Sequence, residues 1–283
     1  MTDARCADIS RDAGESLAAT ATTAEHWLLI EVPGSWPRDV SAEGALRTPA
    51  RAAATAWLER TSGSRLLFIR RPGRAAIRSL AFVIRAAESS TEVRRIELED
   101  PGEIAHVDFE QDGERTDQQL VLVCGHGARD ACCALRGVAV YGALAAKLDG
   151  AEELWISSHQ GGHRFAANVL VLPTGLQFGR VEPDEAPLVV ARALAGRIEL
   201  DRYRGRTCYT PVVQAAERTV REAKKLESAA DLRLAGVDGR LVRFRGWDGS
   251  DFAATVDEVL GPSVPASCGV EPEPQNALSA RLA

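Results

Sequence analysis

The sequence predicts an α/β fold in two lobes, on three observations. Between residues 117 and 200, apolar β-branched runs and one-faced helical segments follow in the order strand, helix, strand, then strand, strand, helix. A separate set of strand-like runs around one Ala-rich helical stretch occupies residues 25–116. The chain has 283 residues and is 45% hydrophobic, enough for one large core or two modest ones.

Taken in order, residues 1–24 are polar and Ala-rich without a repeating apolar face, and read as a flexible leader. The N-terminal α+β lobe, 25–116, opens with the run His26-Trp-Leu-Leu-Ile-Glu-Val32, stopped by Pro33-Gly34. A helix over residues 45–59, containing Pro49, and strands over 65–70, 79–85 and 94–99 complete it. The second lobe, 117–200, places a strand over 118–123, a helix over 134–148 and a strand over 154–158, an order that implies a parallel crossover. A hairpin over 167–181 turns at Pro173-Thr-Gly175, and a helix follows Pro183-Asp-Glu185. Residues 201–260 form a C-terminal extension with one helix and a strand pair. Residues 261–283, with Pro262, Pro265, Pro272 and Pro274, read as a flexible tail.

Charge and composition exclude several function classes. A net charge of −6 argues against nucleic acid, whose phosphates are bound by clustered Lys and Arg. No apolar stretch approaches the roughly 20 residues that span a bilayer. Six cysteines without a secretion signal point to a reducing, cytoplasmic setting, where cysteines are metal-binding, redox-active or buried rather than paired in disulfides.

The chemistry concentrates in Cys124-Gly-His126-Gly-Ala-Arg129-Asp130-Ala-Cys132-Cys133 and His159-Gln-Gly-Gly-His163. Two ligand pairs, Cys124 with Cys133 and His159 with His163, each lie at the end of a strand-like run, so both reach one sheet edge. The adjacent Cys132 leaves the second thiolate open, and His126 is the other neighbour able to contribute. Two Cys and two His supply the four terminal ligands of a two-iron cluster. Neutral imidazoles in place of thiolates make such a cluster easier to reduce, and each carries a second ring nitrogen on which a proton can follow the electron. The competing function is a mononuclear Cys2His2 zinc protein with a structural or binding role, although zinc cysteines typically lie two to four residues apart rather than separated by eight. Metalloprotease chemistry needs His-Glu-x-x-His on a helix, and Gln160-Gly-Gly supplies neither the Glu nor the helix.

Cys124-x8-Cys133 followed by His159-x3-His163, with the hairpin 169–181 behind it, resembles the sucrase/ferredoxin-like family of thioredoxin-like [2Fe-2S] ferredoxins. The likeness is closest over 120–196 and extends to 27–38 and to Tyr203-Arg-Gly-Arg-Thr-Cys208. It implies a thioredoxin-like ferredoxin domain over 117–200 and selects Cys133 over Cys132. It implies a [2Fe-2S] cluster held by Cys124, Cys133, His159 and His163, with no catalytic residues of its own. The expected role is an electron carrier or redox module rather than a stand-alone enzyme, with a redox partner protein as donor or acceptor. No carboxylate pair supports the sucrase half of the family's label.

Overall fold

The computed structural model describes residues 5–41, 44–73, 78–148 and 154–283, so the first four residues of the expected leader lie outside the described residues. Helix α1 (Cys6–Asp12) precedes β1 (His26–Glu31), α2 (Thr48–Arg60), β2 (Ser64–Arg70), β3 (Ser79–Ala86), β4 (Thr91–Leu98) and β5 (Glu114–Arg115). Then come β6 (Leu120–Cys124), α3 (Val138–Ala145), β7 (Leu154–Ser157), β8 (Val169–Leu172), β9 (Leu176–Phe178) and α4 (Ala186–Leu194). The chain continues through β10 (Tyr203–Arg206), α5 (Pro211–Lys224), β11 (Leu232–Asp238), β12 (Leu241–Gly246), β13 (Asp251–Pro265) and β14 (Pro272–Leu282). Pro49 falls in the first turn of α2, where its missing N–H costs nothing, so it starts this helix rather than breaking it.

Ten strands form one mixed, mostly antiparallel sheet in the order β10-β9-β8-β6-β7-β2-β1-β3-β4-β5. The two expected lobes therefore share a sheet. Their junction is a short antiparallel pairing of Ile69 and Arg70 on β2 with Ser157 and Ile156 on β7. β6 runs parallel to β7, as the strand-helix-strand order requires, and antiparallel to β8.

The apolar runs are continuous because the central strands are covered on both faces. Along β6, Val121 and Val123 enter one core while Leu120 and Leu122 enter the other; β1 and β8 divide in the same way. α2, α3 and α4 contribute to the first core, with Trp57, Val140, Leu144 and Val189. Burying Val121 through Val123 on both sides fixes the register and so the place where Cys124 leaves the sheet.

The expected flexible ends are structured. α1 packs on the body of the protein with Cys6, Ala7 and Ser10 buried. Residues 261–283 complete β13 and form β14, paired from Ala254↔Leu282 to Pro265↔Pro272, in a second sheet ordered β11-β12-β13-β14. The prolines hid this strand: they sit on an edge strand, at strand ends and near the irregularity between Leu260 and Ser263, where a missing N–H is tolerated. α5 packs against this smaller sheet through Val213, Ala216 and Val220.

Candidate metal centre

Cys124 is the last residue of β6, and Cys133 opens a single wide turn, Cys133–Gly137, that runs into α3. That turn lies hard against the end of β6: a Cβ on Gly137 would come within 1.9 Å of the Cys124 carbonyl oxygen. Glycine is required there for space, since its φ of −65° is ordinary. On the neighbouring strand, β7 ends at Ser157, His159 follows, and Gly161 (φ +92°) and Gly162 (φ +67°) turn the chain back to present His163. Both glycines adopt the left-handed conformation that side chains resist.

The ligand atoms of Cys124, Cys133 and His159 lie within 4.8 Å of one another. The His159 and His163 rings stack obliquely with centroids 5.0 Å apart, so the fourth expected residue lies beside this group of three without joining it. Both cysteines are buried, and the two histidines are half-buried. Both ring nitrogens of His163 and Nδ1 of His159 are buried without a hydrogen-bond partner. Buried polar atoms are normally satisfied, so these unpartnered nitrogens are donors of the kind that suits a metal.

Electrostatics agree with the geometry. Cys133 donates a hydrogen bond to Cys124; this, with His159 and the Gln160 backbone N–H, holds the Cys124 thiol well below its usual range against the opposing effect of burial. The same bond, with burial, pushes Cys133 well above it. The two thiols are thus pushed in opposite directions, as for two ionisable groups in close contact. Burial lowers the His163 pKa, only partly offset by the Asp130 carboxylate, which favours the neutral ring that ligation needs.

Supporting residues lock both loops. The backbone N–H of His159 donates to His126 Nδ1 (3.2 Å), so His126 carries its proton on Nε2 and donates it to the Pro37 carbonyl (2.8 Å). His126 therefore fixes the backbone at His159. Gln160 Nε2 donates to the Leu122 carbonyl and to Ser157 Oγ, both at 2.8 Å, tying the histidine loop to β6 and β7. Arg204 of β10, buried, donates to the Gly161 carbonyl (3.0 Å), to Asn168 Oδ1 (2.8 Å) and to Thr20 Oγ1 (3.0 Å). Asn168 Nδ2 in turn donates to the Gly162 carbonyl (3.0 Å). Burial and the nearby Arg164 lower the Arg204 pKa to about 9, an effect only partly offset by Cys124, Cys133 and Glu15. Sequence reasoning gave Arg204 no role at the site; its signals were the basic run Arg202, Arg204 and Arg206 and the family likeness of Tyr203-Arg-Gly-Arg-Thr-Cys208.

The histidine edge opens on a cavity of about 350 Å³ lined by Arg38, Arg65, Arg129, His126 and His159. Cys132 lies beside Cys133 but turns its thiol into a different group, with Cys6, Asp130 and Cys268. No helix among the described residues is long and apolar enough to cross a membrane.

Comparison with known proteins places this arrangement. The chain is 34% identical over 146 residues to altered inheritance of mitochondria protein 32 of Eremothecium gossypii, covering 47% of this chain and 46% of that protein. It is 31% identical over 120 residues to the protein of the same name from Meyerozyma guilliermondii, covering 38% and 42%. The match thus spans less than half the length of these curated relatives. No solved structure matches. The sucrase/ferredoxin-like family model matches residues 17–205, which include all four expected ligands, both glycine turns and Arg204. With two thirds of its length inside that match, the chain belongs to the sucrase/ferredoxin-like family.

Proposed function

We propose that the protein transfers electrons through one [2Fe-2S] cluster held by Cys124, Cys133, His159 and His163. The observation that carries this reading is the convergence of Cys124, Cys133 and His159 within 4.8 Å, with His163 stacked beside His159. A [2Fe-2S] cluster supplies a one-electron couple when bound. The two cysteines are the buried side of the site and the histidines its half-exposed edge. Electrons would enter and leave past His159, and the arginines of the adjacent cavity would favour a partner with an acidic surface. Each histidine would hold a proton on its non-ligating ring nitrogen in the reduced state, so the midpoint potential would fall with rising pH.

The β6–α3–β7 and β8–β9–α4 succession supports a thioredoxin-like reading of this half of the sheet. Six free thiols support a reducing, cytoplasmic setting.

The test is to purify the protein anaerobically after growth with ample iron. A brown protein is expected, with about two irons and two sulfides per chain. Zinc bound by these four residues, in a colourless protein lacking sulfide, would replace this reading with the mononuclear one.

A further inference from the structure

A second group of metal-type side chains lies outside the centre just described. Cys6 of α1, Asp130 and Cys132 of the loop after β6, and Cys268 between β13 and β14 bring their ligand atoms within 4.8 Å of one another. The three sulfurs form a nearly equilateral triangle, with Cys6 to Cys132 at 3.6 Å, Cys132 to Cys268 at 3.4 Å and Cys268 to Cys6 at 3.5 Å. Asp130 Oδ1 lies 3.4 Å from the Cys268 sulfur and 3.8 Å from that of Cys6, and Oδ2 lies 3.7 Å from the latter.

A tetrahedral zinc ion with Zn–S bonds near 2.3 Å and a Zn–O bond near 2.0 Å sets its sulfurs about 3.8 Å apart and each sulfur about 3.5 Å from the oxygen. Five of the six edges, the three between sulfurs and those from Asp130 Oδ1 to Cys6 and Cys268, stand within a few tenths of an ångström of that polyhedron. A disulfide needs sulfurs about 2.05 Å apart, and any single pairing would strand the third thiol in a buried pocket.

We infer that Cys6, Cys132, Cys268 and Asp130 form a second metal site that takes one zinc ion in a closed, structural tetrahedron. On binding, the ion displaces the protons of the three thiols to solvent, and no electron moves. The site is held together by hydrogen bonds of its own: the Cys6 thiol donates to the Cys132 sulfur. Asp130 is oriented before any ion arrives, its two oxygens accepting the backbone N–H groups of Cys132 (2.8 Å) and Cys268 (2.9 Å).

All four protein ligands are present, leaving no open position for a substrate, which is the mark of a structural zinc site. Its effect is mechanical. It clasps α1 and the turn before β14 onto the loop whose next residue, Cys133, faces the first centre. Cys6 and Cys268 both lie outside the residues that match the family model, so this clasp belongs to the chain's own ends.

The experiment uses the full-length protein produced with zinc and iron supplied. One zinc per chain is expected, retained in Cys124→Ser and His163→Ala and lost in Cys6→Ser and Cys268→Ser, with circular dichroism reporting whether each variant folds. For the unmodified protein, thiol alkylation mapped by mass spectrometry gives a second readout: after chelation, added Zn2+ should protect Cys6, Cys132 and Cys268 together by tenfold or more in rate. Zinc that disappears with His163→Ala but survives Cys6→Ser overturns the inference. So does an equal alkylation rate with and without Zn2+, or a disulfide between any two of these three cysteines.

Discussion

Cys132 and Cys133 are adjacent in sequence, yet their thiols face different groups of ligands. Side chains of consecutive residues at a helix start point about 100° apart, so one peptide bond can divide two sites. The expected result is a double dissociation. Cys133→Ser should remove iron and sulfide while keeping zinc, because serine is a poor substitute for a soft thiolate. Cys132→Ser should remove zinc and keep the visible spectrum of the cluster. Metal analysis of the two purified variants checks this, and a Cys133→Ser protein that keeps its iron would remove that residue from the ligand set. At the same scale, His126 shows how a nearby histidine can serve the site without binding a metal: its two ring nitrogens are already engaged, by the His159 N–H and the Pro37 carbonyl.

At the scale of elements, two features position the sites. The wide turn Cys133–Gly137 carries Cys133 toward the end of β6 only because residue 137 has no side chain. Gly137→Ala should force the turn and β6 apart, destabilising the fold by roughly 1–3 kcal/mol as overpacking does, and loosening the cluster more than the fold. Urea denaturation together with the rate of iron loss to a chelator measures both effects. α5 carries a fully buried ion pair one helical turn apart, with Arg221 Nη2 to Glu217 Oε1 at 2.9 Å. Glu217 also accepts the Tyr203 hydroxyl (2.9 Å), and Arg221 Nη1 reaches the Ser228 carbonyl (2.7 Å). Glu217→Leu leaves the guanidinium buried without its counter-charge and should cost about 3–5 kcal/mol. The double variant Glu217→Leu/Arg221→Met should lose less, because neither charge then remains. Since Tyr203 and Arg204 are neighbours on β10, the single variant should also disturb the Gly161-Gly162 turn, readable as a shifted cluster spectrum.

At the scale of the whole molecule, the ten-stranded sheet and the four-stranded sheet meet at α5 and at the chain's two ends. α1 and the turn between β13 and β14 join a small apolar cluster in which Cys6, Ala7 and Cys268 pack with Cys124, Cys132, Cys133 and Ala166. Removing zinc should therefore raise amide hydrogen exchange first in residues 5–13 and 264–271, while β1, β6 and β8 stay protected. Mass-resolved hydrogen exchange before and after chelation tests this; uniform loss of protection would mean that zinc supports the whole fold rather than its ends.

The sequence by itself determined what is local. Strands β1, β6, β7 and β8 are legible because both faces are buried and their central residues form continuous apolar runs. Each ligand pair is legible because it sits within ten residues at a strand end. Tertiary structure decided the rest. The β2–β7 pairing that merges two lobes into one sheet involves two residue pairs, too short to leave a pattern. β14 was hidden by prolines that only an edge strand accommodates. Arg204 reaches the Gly161 carbonyl across 43 residues, and Cys6, Cys132 and Cys268 converge across separations of 126, 136 and 262. No periodicity encodes contacts of that range. They follow from how sheets, helices and chain ends pack, which sets the neighbours of every buried side chain only once the whole molecule has closed.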